Sequence, residues 1–75
     1  MLAGEPKDQQ LERARRHVRE GSDRVARQEA LVMRLNRVGL IELAQQADRI
    51  LSTLKASLRL AREDLLERLF RLHAG

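Results

Sequence analysis

His17 and Glu20 stand three residues apart, a spacing that sets an imidazole and a carboxylate on one face of a helix. Metal-binding helical bundles use this spacing, but they also need further carboxylates that project inward. The residues around His17 that would point inward are Ala14, Val18, Gly21 and Val25, and none can ligate a metal. A solvated or ion-paired His17, with Asp64 as its neighbour across the molecule, is the better reading. His73 lies beside the end of the sequence and is expected to be inert. Cysteine is absent, which excludes disulfides and thiolate zinc sites. No Ser–His–Asp or Cys–His set, Gly-rich phosphate loop or pair of buried carboxylates can be assembled. Two helices also offer almost no pocket. The chain is not expected to be an enzyme, and no cofactor, metal or small-molecule ligand is expected.

Arginine is the other residue type with chemistry to offer. The net charge is +4, and thirteen of the fifteen basic residues are Arg. From Lys7 to Val38 there are nine basic and five acidic residues. Arg13, Arg16, Arg19 and Arg27 are the candidates for phosphate contacts. Against this, Glu12–Arg16, Glu20–Arg24 and Asp23–Arg27 are spaced to pair along a helix, which favours a self-neutralised, solvated face. Phe70 is the one aromatic residue, so base stacking is nearly excluded. Binding to a membrane surface is not expected either. The outward apolar positions form no continuous stripe opposite the basic one.

The elements that must carry these residues follow from hydrophobic spacing. Leu40, Ala44, Ala47, Leu51, Leu54, Leu58, Ala61, Leu65, Arg68 and Leu72 recur at intervals of four and three, and nine of the ten are apolar. Leu11, Ala14, Val18, Gly21, Val25, Gln28, Val32 and Leu35 form a second seam with the same alternation, which is a heptad. The pattern predicts one helix over about 8–38 and another over about 40–72. Gly21-Ser22-Asp23 is the one plausible break, but the seam holds its register across Gly21 and favours continuity. Gly39 suits the left-handed position just past a helix end, with Leu40 packing back on the last turn. Residues 1–7, with Gly4 and Pro6, read as a flexible tail, and 8–75 as one domain.

A short turn makes the helices antiparallel. Pairing the seams about Gly39 sets Leu35 against Ala44, Val32 against Ala47, Gln28 against Leu51, Val25 against Leu54 and Gly21 against Leu58. Large faces small at most levels, as close packing at constant helix separation requires. The fold class is therefore all-α, an antiparallel two-helix hairpin of coiled-coil type. Gln28 either fixes register from inside the seam or reaches water at its edge. Arg68 is expected to pack its stem and carry its guanidinium out to solvent.

A hairpin of this size has a marginal core and needs a staple or a partner. Leu31 and Val38 flank the first seam, and Leu43 and Ile50 flank the second on the same side. They form an apolar patch near the turn that the hairpin cannot bury. The expectation is a homodimer joined through these four residues into a four-helix bundle. Leu66, Leu69 and Phe70 form a second cluster, with Leu66 and Phe70 as contacts for another protein. The opposite side, Arg15, Ser22 and Glu29 against Asp48, Lys55 and Arg62, reads as a solvated edge. The function expected is a small protein-interaction module; the alternative is a basic nucleic-acid-associated protein. No apolar run is long enough to span a membrane, and the first residues lack the apolar core of a signal peptide. A cytoplasmic protein is expected.

His17-Val18-Arg19-Glu20-Gly21, followed by Arg24-Val25-Ala26-Arg27-Gln28-Glu29-Ala30-Leu31, resembles a group of short all-helical hypothetical proteins from alphaproteobacteria. In that group a similar His-x-x-Glu-Gly and Arg-Gln stretch precedes a Gly-centred turn and a Leu-rich helix, here Leu51, Leu54 and Leu58. The resemblance spans about residues 14–65. The group usually starts its second helix with polar residues, where this chain has Leu40-Ile41. The resemblance implies a helical hairpin and a bacterial source, and it brings no function with it.

Overall fold

The computed structural model describes residues 7–74. They form α1 (Lys7–Arg37) and α2 (Ile41–Ala74), of 31 and 34 residues. The expected tail lies outside the described residues, except for Lys7, which is the first residue of α1. Asp8 stands in the first turn of α1, and Arg34 and Arg37 in its last, so both ends match the helix dipole. α1 runs unbroken through Gly21.

The helices are antiparallel, and contacts at three levels fix the register. Near the open end, Arg68 Nη1 donates to Gln10 Oε1 at 3.4 Å. In the middle, Gly21 faces Leu58. Toward the turn, Gln28 Nε2 donates to the backbone oxygen of Ala47 at 2.8 Å. That carbonyl points along α2 toward Leu51, so the bond sits at the expected Gln28–Leu51 level. The Gln28 amide is turned inward to the backbone of α2, which answers the question its place in the seam raised.

The core is a single row. Ala14, Ala44, Ala47, Leu51 and Leu58 are buried, and the rest of the α1 seam is half-buried. Three of these five are alanines, which let the helix backbones approach closely. Gly21 goes further, because a methyl group placed there would lie 3.2 Å from Leu58 Cδ1. Heptad spacing supplies the row, and its small members decide how near the helices come.

Val38 to Leu40 make the turn. Gly39 has φ of +84°, the left-handed conformation that glycine adopts without Cβ strain. Its N–H donates to Asn36 O at 3.1 Å, and Leu40 N–H donates to Leu35 O at 2.9 Å. These two bonds are the paired closure of a Schellman motif, which satisfies carbonyls left over at the end of α1. Leu40 then opens α2, accepting from Ala44 N–H at 2.9 Å. One residue closes the first helix and begins the second, so no polar cap is needed between them. Leu40 remains about half exposed, at 49%.

The molecule measures 55 × 25 × 14 Å, with a radius of gyration of 16.9 Å. A compact domain of this length would have a radius near 11 Å. The accessible surface is 5951 Å². A compact monomer of this mass exposes about 4,700 Å². The fold therefore carries a surplus of surface, and where that surplus is apolar bears on function.

Candidate interaction surface

The two flanks of the seam differ in chemistry. On one flank Lys55 Nζ lies 3.6 Å from Glu29 Oε2, and Ser22 and Arg62 line the same shallow groove. The other flank carries His17, Arg24 and Ser57 around Gly21, then Asp64 and Arg68 toward the open end. Heptad steps carry this second flank to the turn. Seven residues on from Arg24 is Leu31, and seven more is Val38. Seven back from Ser57 is Ile50, and seven more is Leu43. Polar near the open end, this side becomes apolar near the turn.

The hairpin leaves all four of those residues partly uncovered. Leu31 is 37% exposed, Leu43 49%, Ile50 54% and Val38 62%. Leu60, a helix turn beyond Ser57, extends the apolar surface of this flank and is also exposed. Its spacing from Ser57 and Asp64 is the signal that places it there, and the seam pattern alone passes over it. Met33 and Ile41 are exposed too. Leu66 and Phe70 are one helix turn apart on the outer face of α2, both exposed, with Leu69 half-buried beside them. They do not join the turn patch, so the surface has two separate apolar areas.

The arginines depart from the expected pairing. Glu12 Oε2 lies 3.8 Å from Arg19 Nη2, two turns away, rather than beside Arg16. Among the described residues neither Glu20–Arg24 nor Asp23–Arg27 comes within ion-pair distance. These groups are exposed, and an exposed pair contributes about 0.5 kcal/mol, too little to hold two long side chains together. Arg13, Arg16, Arg19 and Arg27 are all exposed on α1. Around the helix, Arg13, Glu20, Arg24, Arg27 and Arg34 fall on the same strip as Leu31 and Val38. Arginines therefore rim the apolar patch along α1.

Arg68 departs from expectation in one respect. Its stem is half-buried, but the guanidinium is held at the rim, with Nε 2.9 Å from Asp64 Oδ2 and Nη1 on Gln10. Asp64 shares a groove with His17, as the register requires, while its ion pair is with Arg68. Among the described residues no three His, Cys, Asp or Glu side chains converge as metal ligands would. No described helix is long and apolar enough to cross a membrane.

No protein-family model, curated protein or solved structure matches the chain.

Proposed function

We propose that this protein is a small non-catalytic interaction module. Leu31, Val38, Leu43 and Ile50 join two copies into a four-helix bundle, and Leu66 and Phe70 serve a contact with another protein. The observation that carries this reading is the side-by-side exposure of four large apolar residues next to a one-row core. Contiguous apolar area of this kind marks contact surfaces. Light scattering tests it. A mass of two chains that persists at high salt is expected, and a monomer at micromolar concentration overturns it. Ile50→Glu should give a one-chain mass, because more than half of Ile50 is left uncovered by the hairpin itself.

A second reading draws on the arginines of α1. Arg24 and Arg27 form no ion pair with Glu20 or Asp23, which leaves both guanidiniums turned to solvent. Arg13, Arg16, Arg19 and Arg27 would then contact the phosphates of a nucleic acid. Binding of that kind weakens with salt at a log–log slope of about −0.9 per phosphate contact. A salt-insensitive affinity, or no binding to duplex or single-stranded DNA or RNA at low salt, removes this reading.

A further inference from the structure

Two copies of a hairpin can meet through one flank in three ways: side by side with both turns at one end, side by side head to tail, or overlapped only at the turns. Resting on the self-association proposed above, we infer that the two copies lie side by side with both turns at the same end. In this arrangement α1 of each copy runs along α2 of the other.

The distribution of residue types along the flank selects this alignment. Rotation about an axis parallel to the helices keeps every residue at its own level and sets α1 against α2 of the second copy. The apolar turn half then meets the apolar turn half, with Leu31 beside Ile50 and Val38 beside Leu43 across the interface. At the open end, Arg13 and Arg24 of one copy come to the levels of Glu67 and Ser57 of the other, and His17 to that of Asp64. Asp64 and Glu67 are paired within α2 with Arg68 and Arg71, and Glu20 lies among the arginines of α1, so the open half is a contact of mixed charge and it is the apolar half that selects the alignment.

Head to tail, α1 would lie on α1. At full overlap Leu31 would then lie over Arg13, and the apolar turn half of each copy would be covered by the charged open half of the other. Covering charged side chains with apolar ones removes them from water without a partner, which weighs against that pairing. Overlap at the turns alone avoids this but uses only half of the flank. A 55 × 25 Å face offers roughly 1,000 Å² per copy when fully covered, and a standard interface needs about 800 Å² per partner. Half of the face falls below that. Full side-by-side contact also removes most of the surplus surface that distinguishes this hairpin from a compact domain.

The test places one spin label per chain and measures label-to-label distances by pulsed electron resonance, with mass determined on the same samples. Gln9→Cys carries the label at the open end and Gln45→Cys near the turn; both positions are exposed and off the proposed interface. The aligned dimer predicts distances of about 20–40 Å at both sites, set by the diameters of adjacent helices and the label arms. A dimer overlapped only at the turns would leave the Gln9→Cys labels about 80 Å apart, given a 55 Å hairpin and the axial rise of its helices. Head-to-tail packing would lengthen the distances at both sites. Either of those results, at a mass of two chains, overturns the alignment and leaves self-association standing. A mass of one chain overturns self-association itself.

Discussion

Gly21 and Leu58 set the helix separation at mid-length, and two substitutions at Gly21 measure how strictly. Alanine gains about 1 kcal/mol of helix propensity over glycine. Its methyl would sit 3.2 Å from Leu58 Cδ1, so the end of one flexible side chain must yield slightly. Gly21→Ala is expected to stay within about 1 kcal/mol of the parent. Gly21→Leu has no space to enter and should cost about 2 kcal/mol or more, as overpacking does. Thermal unfolding followed by circular dichroism at fixed protein concentration reads both. Gln28 makes a different test. Its amide donates to Ala47 O, an acceptor that α2 already uses in its own ladder. Gln28→Leu leaves no acceptor unsatisfied and should be neutral or up to about 1 kcal/mol more stable. Gln28→Ala loses both the bond and the packing, and should be about 1 kcal/mol less stable.

Between the helices, Gly39 is the element on which the hairpin depends. A side chain there meets open space, so any loss on substitution comes from the backbone conformation alone. Gly39→Ala should cost about 1 kcal/mol, and Gly39→Asn less, because asparagine tolerates left-handed φ. Urea unfolding at one protein concentration would show the order. This turn, and the register it sets, are legible in the sequence because the constraints agree. A glycine follows two arginines at the end of one seam, and glycine or alanine faces a larger residue at most levels beyond it. The surface ion pairs are not legible in the same way. Arg16 and Arg19 both lie within reach of Glu12, and differences of a few tenths of a kcal/mol separate the alternatives. Nor does spacing reveal that the Arg68 guanidinium stays at the rim, because Gln10 belongs to neither seam.

At the scale of the whole molecule, the seam shows what is inside, and the flanks follow from it. Once Val25, Gln28, Val32 and Leu35 are placed inward, Leu31 and Val38 must stand beside them, and they are exposed as that geometry requires. What the seam cannot reveal is the size of the surplus surface, which depends on two long helices lying flat rather than folding back. The proposed bundle makes a prediction at this scale. Replacing Leu43 and Ile50 together with glutamate should give a one-chain mass, retain most of the helicity and lower the unfolding midpoint. Loss of all helicity would instead mean that the hairpin does not stay folded without its second copy.

The turn also sets the order in which the molecule closes. Pairs beside Gly39, such as Leu35 with Ala44, are neighbours along the chain, whereas Leu11 and Arg68 are separated by most of it. Loop closure is cheapest at the turn, so folding runs outward from Gly39 like a zip, and low contact order makes it fast. The four buried residues of α2 lie between Ala44 and Leu58, on the turn side. The last section to shut, and the first to open, is the one that carries Leu66 and Phe70. Amide hydrogens there should exchange before those around Leu51, and a protein that grips that end would hold the zip closed.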